Sequence, residues 1–426
     1  MKIKLVLLVL SVLTSLHATS LKEAVQEGIN SDPEILAEIS RYQGKKVSVF
    51  VAKSGYYPTL DLSAGIGFEE SDREKLNQAQ SNTKYTRKEV AARFRQPLFE
   101  GFKTSSNVDR SSADRDVTKY ELHALSETKA LKIVKAYLDV IKAKEIITLA
   151  QVNLQAHYDI LNSIKQRYDQ GVSDKADFIQ IKGRVASAKT DLISAKNNAL
   201  DAEAAYVKVV GYTPDALETL YAKDVIIPTT LQSSIDKALQ KNPTMLSART
   251  NIVLVKSERR SSKSNYYPHF YGDLSANYKD DADGIAGAQE TYQAMLRMEW
   301  NIFNGFKEKN QNEIAQKEVI TAMQKANNTK RQLILETTLA WNAYIFIKDQ
   351  LEPLKEHVNF SKEVKKLYHE QYNVGRRSLI DLLNSQVEAF NAAKAFITAS
   401  HDEIAAKYRV LDSIGILNEI FAIKTY

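Results

Sequence analysis

The chain has 426 residues, with 58 Lys+Arg against 52 Asp+Glu, 44% apolar residues and no cysteine. That length supports two or three domains or one large repeated one. The missing cysteine excludes disulfide scaffolds, thiolate metal sites, cysteine nucleophiles and lipid attachment through an N-terminal cysteine. Eight Pro and 15 Gly are few for this length and favour long uninterrupted elements. Past the N-terminus, no apolar run approaches the roughly 20 residues of a membrane helix.

The chain opens with an export signal. Lys2 and Lys4 precede the apolar stretch Leu5 to Leu16, and His17-Ala18-Thr19-Ser20 follows. A charged start, an apolar centre and a small residue at the cut are the features that the export machinery reads. Cleavage is expected after Ala18, with Ser20 as the alternative, so residues 1–18 form the signal. Losing two lysines lowers the formal charge from +6 to +4. So mild and dispersed an excess predicts no nucleic-acid partner.

The most informative feature is an internal duplication. Leu21, Pro33, Leu36, Lys46, Lys53, Ser54, Tyr56, Tyr57 and Pro58 recur as Leu231, Pro243, Leu246, Lys256, Lys263, Ser264, Tyr266, Tyr267 and Pro268. Leu98-Phe99-Glu100-Gly101-Phe102-Lys103 returns as Ile302-Phe303-Asn304-Gly305-Phe306-Lys307, and Tyr168, Gly171, Asp177 and Gly211 match Tyr372, Gly375, Asp381 and Gly415. The chain therefore divides into a first repeat over 19–211, a linker over 212–230, a second repeat over 231–415 and a tail over 416–426.

Within each repeat the apolar period changes. Leu60, Leu62, Ala64, Ile66 and Phe68 alternate with polar or small residues, as do Val90, Ala92, Phe94 and Leu98. In the second repeat Phe270, Leu274, Ala276 and Tyr278 alternate, then Tyr292, Ala294, Leu296, Met298, Trp300 and Ile302. A period of two predicts four strands, paired in hairpins over 59–99 and 269–303. Their length, about ten residues each, is that of strands crossing a membrane in a barrel. Asp61, Arg93, Arg95, Asp273, Arg297 and Glu299 fall on the opposite, inward face and are the candidate lumen residues.

The rest predicts helix. Between Phe102 and Gln170 there is neither Gly nor Pro, and between Phe306 and Tyr372 only Pro353 intervenes. Each long helix meets a glycine turn, at Gly171 or Gly375, and returns through a second helix. Another helix of about 35 residues, with Pro33 or Pro243 near its start, is expected before each hairpin. Four strands cannot close a barrel, and an open edge in lipid leaves backbone groups unpaired at several kcal/mol each. Three copies give twelve strands and a lumen wide enough for water. The expected fold is mainly α, with a 12-stranded trimeric β-barrel continued by an α-helical barrel.

These motifs, in this order and duplicated, resemble the TolC family of outer-membrane export channels. The resemblance covers essentially the whole mature chain. It is carried by Tyr57-Pro58 and Tyr267-Pro268, by the Phe99-x-Gly101-Phe102 and Phe303-x-Gly305-Phe306 strand exits, and by the two Tyr-x-x-Gly turns with their following Asp. It implies a homotrimer held in outer-membrane lipid, with its helices in the periplasm. It also implies partners: a periplasmic adaptor and an inner-membrane transporter. The stretches Leu98 to Arg110, Ala136 to Val140 and Gln170 to Val172 are similar to members serving type I secretion of large proteins. A small-molecule efflux duct is the alternative within the family, and a periplasmic coiled-coil adaptor the alternative outside it.

The resemblance further implies a periplasmic gate in which Tyr372 and Arg377 hold Asp177, with a ring of Asp381 just inside. Relatives often carry a second acid three residues on, where this chain has Asn384. Asp177 and Asp381 also suit the start of a helix, as caps and dipole partners. The seven histidines lack ligand spacing and no nucleophile elbow or phosphate loop is present. No catalytic residue, cofactor or metal is expected. Asp280-Asp281-Ala282-Asp283-Gly284 reads as a solvated external loop.

Overall fold

The computed structural model describes residues 18–75, 78–214 and 216–424, and the side chains of all of these except 72–83. The expected signal, up to His17, lies outside the described residues. The chain forms two compact units, one made of the N-terminal stretch to Glu38, Leu122–Pro243 and the stretch from Arg331 on, the other of Ile39–Glu121 and Thr244–Lys330.

The duplication is visible element by element. Helix α1 (Leu21–Ser31) and α2 (Pro33–Lys53) lead into strands β1 (Thr59–Lys75) and β2 (Gln78–Glu100). Then come α3 (Lys103–Asp169) and the return helix α4 (Lys175–Val210). The second repeat gives α5 (Leu231–Lys241), α6 (Pro243–Ser262), β3 (His269–Ala282), β4 (Ile285–Glu299), α7 (Lys307–Asn373) and α8 (Leu379–Ile414), followed by the short α9 (Leu417–Ile420). Both long helices have 67 residues and both return helices 36. A 67-residue helix is about 100 Å long, and α7 runs through Pro353 without ending.

Two expectations are corrected. The single helix of about 35 residues before each hairpin is two helices in each repeat, broken at Asp32 and Asn242. A proline disfavours helical backbone in the residue before it, and these two take ψ of 119° and 123°. Asp32 then caps α2, accepting hydrogen bonds from the Glu34 and Ile35 N–H groups at 2.9 and 3.1 Å. The strands are also longer than ten residues, at 17, 23, 14 and 15. Apolar alternation is demanded only where lipid faces the sheet, so it ends before the backbone ladder does.

In the first-described unit, α1 packs so closely on α3 and α4 that a Cβ on Gly28 would lie 2.7 Å from Ile133 Cδ1. Tyr137 is fully buried and its hydroxyl shares its one proton between the Thr19 and Glu218 carbonyls, at 2.8 and 2.9 Å. Glu127, also buried, fixes the C-terminal segment by accepting the Leu417 and Asn418 N–H groups at 2.7 and 2.8 Å. Toward the turns the core consists of Ile160, Ile164, Ile181, Val185, Leu379, Leu382 and Leu383. In the second unit, Lys45–Asp114 and Arg260–Asp109, each at 2.7 Å, tie α2 and α6 to the first part of α3.

The sheet is antiparallel in the order β1-β2-β3-β4. A bulge between Pro97 and Phe99 shifts the β2:β3 register. Phe99, not Leu98, therefore stands opposite Phe270, and Leu98 leaves the alternation expected for it. No helix among the described residues is long and apolar enough to cross a membrane.

Candidate functional site

The sheet sorts its side chains into two faces. On one, Leu60, Phe94, Leu274 and Ala294 stand in a cross-strand row, and Leu62, Ala92, Ala276 and Tyr292 form the next. Six of these eight are exposed in the single chain, Leu62 and Tyr292 both at 75%, and Ala92 and Ala276 are half-buried. The rows end at Lys88 and Asp280, paired at 3.4 Å. An apolar band of four to five rows with charge at its margin fits a bilayer's hydrocarbon layer.

The other face gathers the candidate lumen residues. Asp61 stands opposite Arg93, and Arg95 opposite Asp273. Asp273 is only 5% exposed because two arginines enclose it. Arg95 Nε donates to its Oδ1 at 2.9 Å, and Arg297 Nε lies 2.9 Å from its Oδ2. Arg95 also covers the Tyr271 ring at 5.1 Å. Glu299 is opposite His269, one row beyond Arg297. All six expected residues thus share one face. The spacing alone could not show that one carboxylate serves two guanidinium groups, since that depends on register across three strands.

The two helical turns repeat one geometry. Gly171 and Gly375 have φ of 74° and 76°. The Gly171 and Val172 N–H groups donate to the Tyr168 and Arg167 carbonyls, and those of Gly375 and Arg376 to the Tyr372 and Gln371 carbonyls. This is the paired bonding by which a left-handed glycine ends a helix. Asp174 caps α4 by accepting from the Asp177 N–H at 2.8 Å, and Ser378 caps α8 by accepting from the Asp381 N–H at 3.2 Å. Asp177 and Asp381 are therefore first-turn acids and not the caps, a correction to their expected capping role. Their charge still complements the helix dipole.

The candidate gate residues are near one another but are not joined as expected within one chain. Tyr372 lies under the Arg167 guanidinium at 5.0 Å, and burial raises its phenol above the usual range. Arg377 donates to Gln371 Oε1 at 3.1 Å, covers the Tyr368 ring at 4.3 Å and lies 3.8 Å from Asp381. Asp177 accepts from the Ser173 hydroxyl at 3.3 Å. No contact of Arg377 with Asp177 occurs among the described residues of a single chain. Asn384 accepts a hydrogen bond from Arg184 of α4 at 2.8 Å.

Arg167, Gln371 and Tyr368 were not anticipated. Their signal was available, because Arg167 and Gln371 lie one turn and Tyr368 two turns before the glycines, on the helices that the turns close. Beneath the turns, Asn153 and Gln386 share a buried hydrogen bond at 3.0 Å across α3 and α8. No group of metal-ligating side chains occurs among the described residues.

The family model for outer membrane efflux proteins matches residues 24–212 and 234–415, one stretch for each repeat. The chain belongs to that family. It is 23% identical over 369 residues to the outer membrane efflux protein BepC of Brucella suis, covering 86% of this chain and 79% of that one. It is 22% identical over 416 residues to the outer membrane protein TolC of Vibrio cholerae, covering 95% and 93%. Among solved structures, the Campylobacter jejuni CmeC outer membrane channel superposes with a TM-score of 0.80 at 16% identity, over 93% of this chain and 85% of that chain. The expected TolC-family fold is therefore met, mostly helical with one four-stranded sheet. The protein is an outer-membrane channel of the efflux family, with its helical part in the periplasm, and such channels are not enzymes.

Proposed function

We propose that the chain acts as a homotrimeric channel-tunnel, the outer-membrane component of a type I secretion system. It would receive cargo from an inner-membrane transporter through a periplasmic adaptor docking at the helical turns. The observation that carries this is the sheet: four strands, one continuous apolar face, one charged face, and outer edges at β1 and β4 that pair with no other strand among the described residues. An edge facing lipid must be satisfied, and pairing β4 of one copy with β1 of the next does so. Three copies make the twelve strands that enclose water.

The turns would form the resting gate. Arg377, whose contacts among the described residues are with Tyr368, Gln371 and Asp381 of its own chain, would meet Asp177 of an adjacent copy, while Tyr372 closes on Arg167. Asp381 would supply one ring of three carboxylates. With Asn384 bonded to Arg184 in place of a second acid, cation selectivity at the tip is expected to be modest. Export of a large protein is favoured over small-molecule efflux by the stretch Leu98 to Arg110 and the turn sequences.

The test is single-channel conductance of the purified protein in a planar bilayer, with Arg377→Ser alone and with Tyr372→Phe. A small, stable conductance that rises in the variants supports barrel, trimer and gate together. No channel from any of them would overturn the proposal, and a channel unmoved by either change would place the gate elsewhere.

A further inference from the structure

The outer end of the sheet carries contacts that neither a lipid face nor a polar lumen requires. The β2:β3 ladder stops at Lys88 opposite Asp280. Immediately beyond, Asp281 takes φ +51° and the β3:β4 register slips between Asp280 and Ala282. A left-handed residue at a bulge bends the strand that holds it. The Asp281 carboxylate keeps the bend by accepting the Gly287 N–H at 2.9 Å. Asp283 and Gly284 then turn the chain with φ of +55° and +71°, the Asp-Gly form of a two-residue hairpin.

The turn does not stay beside its neighbouring strand. The Gly284 N–H donates to Glu69 Oε1 at 2.7 Å, and Glu69 belongs to β1, with β2 in between. Adjacent strands lie about 4.8 Å apart, so the turn leans across the width of β2 to reach it. Arg87 of β2 makes the crossing: its Nη1 is 2.9 Å from both Glu69 and Asp283, and its Nη2 is 2.6 Å from Glu89. Lys279 adds a 2.8 Å contact to Asp283. Glu69 and Arg87 alternate in phase with Asp61 and Arg93, on the charged face. Ala282, at the root of the turn, is 1% exposed, although most of the sheet around it is open.

We propose that this turn is an inward-folded strap, latched by Arg87 to Glu69 and Asp283, that narrows the outer mouth of the channel and swings back when cargo leaves. The idea rests on the channel function proposed above, and in a closed assembly each copy contributes one strap. Arg87, Glu69 and Asp283 are all partly exposed, and ion pairs of that kind hold weakly enough to open and close. The exit therefore has its own restriction, distinct from the gate at the helical turns.

The chain has no cysteine, so Ala282→Cys gives one unique thiol that reports strap opening. Labelling of that thiol by a membrane-impermeant maleimide is followed in the assembled full-length protein, with and without Arg87→Gln or Glu69→Gln. Loss of one charge-assisted contact should speed labelling about tenfold. In the Arg377→Ser background, where the turns no longer limit flow, the same changes should raise conductance further. Unchanged labelling and conductance in an intact assembly would overturn the strap. If Arg87→Gln fails to assemble, Glu69→Gln decides, since it removes the charge that Arg87 pairs with while keeping an oxygen able to accept the Gly284 N–H. If no variant conducts, the channel proposal fails, while the labelling rate still reports on the strap.

Discussion

Arg377 Nη1 lies 3.8 Å from Asp381 Oδ2, one helical turn further along its own chain. The same guanidinium covers the Tyr368 ring and takes Gln371 as a hydrogen-bond acceptor, so it is held in place before any second chain arrives. Asp177 is held separately, by Ser173. Two charges positioned independently at the tips of two hairpins suit a contact made between copies.

That arrangement predicts coupling between distant positions in one sequence. Asp177→Asn and Arg377→Ser should each raise single-channel conductance. The double variant should exceed neither by much, because removing either partner already breaks the shared contact. Additive increases would mean that the two residues act on different parts of the gate.

Asp273 should be a stabilising residue of the barrel through its two arginines. Asp273→Ala leaves Arg95 and Arg297 facing each other with no anion between them. The assembled protein should then dissociate at a lower temperature on unheated-gel analysis. Asp273→Asn, which keeps an acceptor oxygen, should lie between that variant and wild type.

Much of this was legible in the sequence, and the failures have a common cause. The duplication, the two hairpins and the glycine turns are local patterns, repeated at fixed offsets, and each appears near where the spacing placed it, although the second hairpin ends at Glu299 and leaves Trp300 and Ile302, expected within 269–303, outside the strand. The strand ends past Phe68 and before Lys88 were not legible, because beyond the lipid a ladder needs no apolar alternation. The breaks at Asp32 and Asn242 were legible from the prolines that follow, but the apolar pattern running across them outweighed the signal. Arg184 meeting Asn384, Arg297 joining Arg95 on Asp273, and Glu127 meeting Leu417 depend on tertiary register. No local period encodes it.

Glu127 gives the protein a pH-dependent anchor. Burial pushes its carboxyl up to about 7 from an ordinary 4.5, against the lowering effect of the Asn418 and Leu417 N–H groups. The native state thus holds a proton that the unfolded chain releases. Its stabilising contribution is complete below about pH 4.5 and is lost as pH rises through about 7, an effect on the order of 3 kcal/mol. Asp412, pushed up to about 6 by burial, acts in the same direction. Thermal unfolding followed from about pH 5 to about pH 8 should show a falling midpoint in wild type and a flatter profile in Glu127→Gln. An equal slope in both would remove Glu127 as the cause.

The duplicated glycines at the ends of the return helices should differ sharply in tolerance. Both Gly211 and Gly415 have positive φ, at 98° and 79°. At Gly211 a Cβ would meet only Ser31 Oγ, at 3.5 Å, whereas at Gly415 it would lie 2.5 Å from Pro243 Cδ and 2.8 Å from Asn242 Cα. Gly211→Ala should cost about 1 kcal/mol from backbone strain alone. Gly415→Ala adds overpacking of about 1–3 kcal/mol. Denaturant midpoints of the two variants would separate these terms, and equal losses would contradict the crowding.

The first hairpin is six residues longer than the second, from Thr59 to Lys103 against His269 to Lys307, while the long and return helices keep the same lengths. Since the two halves diverged, the hairpins have changed in length while the long and return helices have kept theirs. The tunnel-building helices were evidently not free to gain or lose a residue, because each insertion would rotate every later side chain by about 100° around its axis. The hairpins are thus the part of each repeat that can gain or lose residues without turning the helical faces that follow.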